Sequence, residues 1–337
     1  MSADAKQDAW IAVLIGTLAG MLVVRLYNAV RRIAPDATLI ELNGRLFGKW
    51  AGLALSLLYT FFTFIFASDV LFYLGNFLTT QVLPRTPIQM LNIIFMLVVV
   101  MGVRLGIETL ARAAEVMFPW FILLFLALAV FSLPLIRIEN IQPVMEAGAK
   151  PILRASITFL SFSFFSLFSF LMLPASYMNH PKKAEKAFYS GGVTSGLMLF
   201  IIVGLAILVL GPDITAIKIY PSYTLARKIS IGHFLQRMEA LIAIIWLFSL
   251  YFKLCLYFHA TVHGVYRILK LRDTRAVIVP LGILVALYSL VVFPSTTYQQ
   301  TFDTKIWIPC SILLGLVYPL VLLGVSRLRK AGGAEGS

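Results

Sequence analysis

The sequence predicts an all-α polytopic membrane protein with about nine transmembrane helices, on three observations. Sixty per cent of its 337 residues are apolar and only 13% charged, against roughly a quarter charged in soluble domains. The apolar residues fall in runs long enough to cross hydrocarbon, which takes about 20 residues at 1.5 Å each. The basic residues sit in the short connectors between those runs. The net charge of +13 is therefore not one folded basic face, and no nucleic-acid partner is expected.

Taken in order, the first run is Trp10 to Asn28, closed by Arg31 and Arg32. The second, Ala51 to Leu78, is long and encloses Asp69. The third, Ile88 to Val103, is short and needs Pro87 or Arg104 at its edges. Met117 to Leu135 follows, then Ile157 to Tyr177, which is rich in serine. Gly191 to Leu210 carries no charge, whereas Ala240 to Tyr266 encloses Lys253. Val277 to Phe293 and Trp307 to Val325 complete the set. Cys255 and Cys310 lie inside such runs and read as small buried hydrophobes, with no disulfide framework or metal cluster. No linker divides the chain, so residues 1–337 read as one domain. Met1 to Asp8 is polar and unlike a secretory signal.

Most of the 28 Lys and Arg fall on the side of the connectors after the odd-numbered runs and of the C-terminal tail. That side is cytoplasmic by the positive-inside rule, which puts the C-terminus inside and the N-terminus outside. A chain that opens outside, with no preceding span to deliver it, suggests a missing first helix. An internal repeat agrees. Pro35-Asp36-Ala37-Thr38-Leu39 precedes the second run and Pro221-Ser222-Tyr223-Thr224-Leu225 the seventh. Each leads to a glycine, Gly48 or Gly232, and then to a long run with one charge. The two stand on opposite sides of the membrane and five runs apart, as an inverted five-plus-five repeat requires. Ile33 to Phe47 and Ala216 to Phe234 read as interfacial amphipathic helices.

Three blocks carry a family resemblance: Ala5-Lys6-Gln7-Asp8-Ala9-Trp10-Ile11-Ala12, Leu225 to Gly232 continuing through Phe234, Arg237, Glu239, Trp246 and Lys253, and Asn179-His180-Pro181-Lys182-Lys183. The chain resembles the spore-germination permeases, the B subunits of GerA-type nutrient germinant receptors, within the amino acid–polyamine–organocation superfamily. The resemblance implies a ten-helix fold whose first helix would end before Ala5. It also implies a place in the inner membrane of the spore, a small nutrient ligand such as an amino acid, and assembly with A and C subunits. Two departures stand out. Ser163-Phe164-Phe165-Ser166-Leu167 occupies the place where relatives resemble Phe-Pro-Phe-Gly-Glu, and Phe72, Tyr73 and Asn76 stand where relatives tend to carry charges.

In such a fold the ligand lies near the midplane against an interrupted helix. The fifth run supplies Ser163, Phe165, Ser166 and Ser169 as ligand-binding candidates, with Pro174 as a further breaker. Serines that merely pack helices and bond their own backbone are the alternative. Lys253, deep in the seventh run, is the sharpest single residue, because a charge there costs about 2.5 kcal/mol or more. Ser249 and Tyr257 lie on its face, with Thr261 beyond. Lys253 is expected to take the place of a coupling cation, or else to be a structural ion pair. Asp69 is the other embedded charge, placed too far outward for a direct bridge to Lys253. Glu239 and Arg237 fit a helix start. His259 and His263 have metal-like spacing without a third ligand. The many phenylalanines read as lipid-facing bulk.

No enzyme motif, cofactor site or metal site is expected. The sequence thus reads as a germinant-receptor subunit that binds a small nutrient and signals by conformational change or ion release. A proton-coupled amino-acid or amine transporter and a non-binding scaffold subunit remain as alternatives.

Overall fold

The computed structural model describes residues 1–146, 148–174, 181–229 and 239–334, with side chains as far as residue 329. Among these residues the chain is helical throughout and has no strand. Eight helices are long and apolar enough to cross a membrane. They are α1 (Ser2–Arg31), α2 (Leu39–Val82), α3 (Ile88–Leu105), α4 (Ile107–Leu135), α5 (Ala149–Met172), α6 (Pro181–Leu210), α8 (Glu239–Ile268) and α10 (Thr296–Arg329). Between them lie the short amphipathic α7 (Pro221–Lys228) and the shorter apolar α9 (Arg275–Val291). The chain is a multi-pass α-helical membrane protein.

Helix interiors follow the apolar runs, but several ends do not. α5 begins at Ala149, eight positions before the expected Ile157, and α10 begins at Thr296, well before Trp307. In both cases hydropathy stops at polar residues that the helix retains. The first amphipathic segment starts at Leu39 and not at Ile33. Thr38 caps it in a capping box, its backbone N–H donating to Glu41 Oε2 at 2.9 Å. Leu39, Leu42, Asn43 and Leu46 form its buried face. Gly48, at φ 78°, then breaks it from the spanning part of α2, a conformation that glycine alone adopts without strain. The second amphipathic segment is not continuous either. Pro212–Ile217 forms one helix, and Pro221 opens a second at its N-terminus. Its end at Gly232 and Phe234 lies outside the described residues, as do Asn179, His180, Arg237 and the end of the fifth run at Tyr177.

The residues form two compact units. The first comprises Met1–Arg25, Val116–Ser166 and Lys182–Trp246. Its core joins Ala5, Ala9, Ala12, Ile152, Ala155 and Ile207. Small residues on α1 admit aromatic partners: a Cβ on Gly16 would run into Phe159, and one on Gly20 into Phe164. The N-terminal block has a structural task. Gln7 donates to Pro143 O at 2.9 Å and Glu146 Oε2 at 3.0 Å, and Asp8 Oδ1 accepts from Met145 N at 2.8 Å.

The second unit comprises Leu26–Glu115, Leu167–Pro181 and Leu247–Ser337. Here α2, α3 and α9 meet through Asn92, whose amide donates to Ser289 Oγ at 3.1 Å. α2 and α8 approach closely where Gly264 faces Thr60 and where Thr261 Oγ1 donates to Thr63 Oγ1 at 3.0 Å. Many phenylalanines are core and not lipid-facing bulk. Phe66, Phe77, Phe168, Phe258 and Phe293 are fully buried in this unit, whereas Phe61 is 56% exposed. Aromatic rings fill the space between helices that unbranched aliphatics would leave loose.

Candidate functional site

The fifth run changes its helix type at the residues the sequence singled out. The α-helical part of α5 ends at Ser163, and Phe165–Met172 continues as a 3-10 helix. Eight residues of 3-10 helix exceed the usual three or four, and such stretches often mark a functional hinge. Ser166 donates its hydroxyl to Ser163 O at 3.2 Å. Phe165, Ser166 and Ser169 are buried and Ser163 half-buried. Ser163, Phe165 and Ser166 belong to the first unit and Ser169 to the second.

The remaining candidates lie in the second unit. On α8, Tyr257 and Thr261 are buried, Lys253 is half-buried and Ser249 is exposed. Lys253 Nζ stands over the Trp307 ring, 5.4 Å from its centroid, a cation–π contact. Trp307 packs on Phe66 at 4.1 Å between centroids and edge-on to Tyr257 at 6.3 Å. Phe168, from the 3-10 stretch, closes the group at 5.9 Å from Phe66 and 6.1 Å from Tyr257. Tyr59 meets Phe168 edge-on at 5.5 Å. The Lys253 ammonium thus sits against a wall of aromatic rings.

Two carboxylates, Asp69 and Asp303, act electrostatically on Lys253. Neither makes a direct ion pair with it among the described residues. Asp69 instead accepts a hydrogen bond from Gln299 Nε2 at 3.0 Å. Asp303 Oδ1 is buried and has no hydrogen-bond partner. At their ordinary charges the three groups sum to one net negative charge inside a span, which calls for a further cation, proton or ligand ammonium.

α10 shapes this cluster through two irregular segments. Asp303–Trp307 and Leu313–Val317 are π-helical, and single π turns within α-helices are frequent at functional sites. The first carries Asp303 and Trp307. The second presents Gly315 O, which accepts from Tyr27 Oη at 2.7 Å. Beyond Gln299, Thr296 Oγ1 donates to Asn76 Oδ1 at 3.0 Å. That pair borders a cavity of about 490 Å³ lined by Thr79, Gln89, Ser295, Phe72 and Phe293 among others. From this cavity Asn76 and Asp69 descend α2 while Thr296, Gln299, Asp303 and Trp307 descend α10, forming a polar seam that reaches Lys253.

Asp303 and Gln299, and the site role of Trp307, are not among what the sequence singles out, because hydropathy begins the ninth run at Trp307. A usable signal was present: Thr296, Gln299, Asp303 and Trp307 recur at helical spacing. His259 and His263 stack ring on ring, with centroids 4.1 Å apart. No group of three metal-ligating side chains occurs among the described residues.

Residues 1–297 match the protein-family model described as "Spore germination protein". The chain is 29% identical to spore germination protein KB of Bacillus subtilis (strain 168), over 97% of this chain and 88% of that protein. It is 28% identical to spore germination protein YndE of the same strain, over 96% and 88% respectively. Spore germination protein B2 of that strain is 25% identical over 71% of this chain and 65% of its own. The similarity carried by three short blocks therefore extends along nearly the whole chain.

Proposed function

We infer that this chain, which belongs to the spore germination protein family, is the membrane subunit of a nutrient germinant receptor that binds a small nutrient, an amino acid being the best fit. The observation that carries this reading is the cluster in the second unit. Lys253 offers a cation to a ligand carboxylate. Asp303, with its buried and unpartnered oxygen, offers an anion to a ligand ammonium. Tyr257, Phe66, Phe168 and Trp307 supply an apolar wall for a side chain. A mostly apolar surround with a few placed polar groups is the composition that suits small ligands.

Ser169 and Phe168 share the 3-10 stretch, so a ligand seated against Phe168 would bear on the segment whose geometry departs most from an α-helix. Ser163, just ahead of it, and Phe165 and Ser166, at its start, are assigned a role in ligand response; Ser249, exposed on α8, is assigned a place at the approach to the site. Asp69, held by Gln299, serves as a second anion for Lys253. Signal output then takes the form of conformational change or ion release. The reading further places the protein in the inner membrane of the spore, with its C-terminus cytoplasmic and in complex with A and C subunits. It assigns the chain an inverted five-plus-five repeat.

A second reading, a proton-coupled amino-acid or amine transporter, is favoured by the two carboxylates that share one lysine. Both readings are tested on the purified chain in nanodiscs with each of the common L-amino acids. The receptor reading expects at least one to raise the unfolding temperature of the wild type and not of Tyr257→Leu. Uptake of that amino acid into proteoliposomes would favour the transporter. No thermal response to any would leave a scaffold subunit.

A further inference from the structure

We propose that the break at Gly48, together with the end of α10, forms a docking site for the headgroup of an anionic phospholipid. The segment Leu39 to Trp50 contains one acid, Glu41. That carboxylate is already engaged, accepting from the Thr38 backbone at 2.9 Å and pairing with Arg267 at 3.0 Å. The segment's two bases have no such partner. Arg45 is exposed on the turn before the break, and Lys49 follows the break directly, exposed and with its Nζ over the Trp50 ring at 5.6 Å.

A third cation is brought to the same place from the far end of the chain. Arg329 Nη1 donates to Arg45 O at 3.0 Å, so its guanidinium rests on the amphipathic helix. From Tyr318 to Ala334 the chain carries no acid. Arg329 is thus brought to Arg45, with Lys49 just past the Gly48 break, and no carboxylate pairs with any of the three among the described residues, an arrangement that an anion relieves.

The surroundings select a lipid as the source of that anion. Trp50 is 78% exposed at the point where the amphipathic helix gives way to a spanning one. Exposed tryptophan beside lysine is the composition of the headgroup layer. Basic residues immediately outside a span draw anionic lipid. Nothing lies within 4 Å of the place a Gly48 Cβ would occupy, so the space beside these charges is open. The amphipathic helix is fixed from beneath, because Tyr318 Oη donates to Asn43 Oδ1 and Asn43 Nδ2 donates to Ser56 Oγ at 3.0 Å. The cations are thus presented on a rigid support.

The test uses the full chain in phosphatidylcholine nanodiscs, with phosphatidylglycerol of the same acyl chains titrated in. The wild type is expected to unfold at least about 3 °C higher with phosphatidylglycerol. Soluble glycerol phosphate should not reproduce the rise. The triple variant Arg45→Gln, Lys49→Gln, Arg329→Gln should lose it, whereas Lys182→Gln, Lys183→Gln, Lys186→Gln, which removes the same charge elsewhere, should keep it. Equal loss in both triples would reduce the effect to net charge and overturn the proposal. An equal rise with glycerol phosphate would overturn it in favour of a free-anion site. If the first triple fails to fold, Lys49→Gln alone decides. It must raise the phosphatidylglycerol fraction needed for half the effect by about threefold, and no change there contradicts the proposal.

Discussion

Gln299 donates its side-chain amide to Asp69 across 3.0 Å, joining α10 to the middle of α2 within electrostatic reach of Lys253. Both side chains are buried, at 2% and 5% exposure. Asp69 makes no direct ion pair with Lys253 among the described residues, and the Lys253 ammonium lies over the Trp307 ring instead.

Gln299→Leu should therefore lower stability by about 1–3 kcal/mol, because a buried carboxylate loses its donor. Asp69→Asn in the same chain should recover part of the loss, giving a double-mutant coupling clearly different from zero. Thermal unfolding in nanodiscs measures both. Additive effects would mean that the bond contributes nothing.

Lys253→Met leaves Asp69 and Asp303 without their shared cation. Removing one member of a buried charge group costs about 3–5 kcal/mol, so poor yield or a sharply lower unfolding temperature is expected. Adding Asp303→Asn should restore much of it. Failure of that rescue would show that Lys253 is balanced by other groups.

Gly264 sets the approach of α8 to α2. A Cβ there would run into the Thr60 side chain. Gly264→Leu should cost about 1–3 kcal/mol through overpacking, and Thr60→Ala should relieve part of it. The check is the same unfolding assay on the single and double variants.

Gly20 on α1 admits the Phe164 ring at the point where α5 passes from α to 3-10 geometry. Gly20→Val should displace that ring and weaken nutrient response more than it weakens folding. Spores carrying the variant at wild-type membrane levels should need more nutrient for half-maximal germination. An unchanged dose response would detach the α5 junction from function.

The fold was largely legible because a span is the strongest pattern that a sequence can carry. Leu197 to Leu210 or Val277 to Val291 is apolar at nearly every position, and no soluble structure tolerates such runs in number. Lys253 and Asp69 were legible for the complementary reason, since one charge in an apolar run stands out. Asp303 and Gln299 were not, because they lie among Thr301, Thr304 and Lys305 in a stretch with the polarity of a connector. A helix keeps such residues within its span when protein covers them, and hydropathy does not register the cover. The aromatic wall was hidden differently: with 26 phenylalanines in the chain, composition does not separate Phe66 and Phe168, which face the lysine cluster, from Phe61, which faces outward. The α-to-3-10 change after Ser163 was half-legible. The run of serines marks the place, but not the helix type.

The most direct test of the central claim is the nutrient dose response of spores in which this chain carries Tyr257→Leu, with the level of the subunit in the spore membrane matched to wild type. Tyr257 belongs to the proposed ligand wall and bears no charge needed for folding. The account predicts that half-maximal germination moves to at least about tenfold more nutrient, the loss of roughly 1.4 kcal/mol of binding. An unaltered dose response at matched levels would contradict it and place nutrient recognition outside the Lys253 cluster.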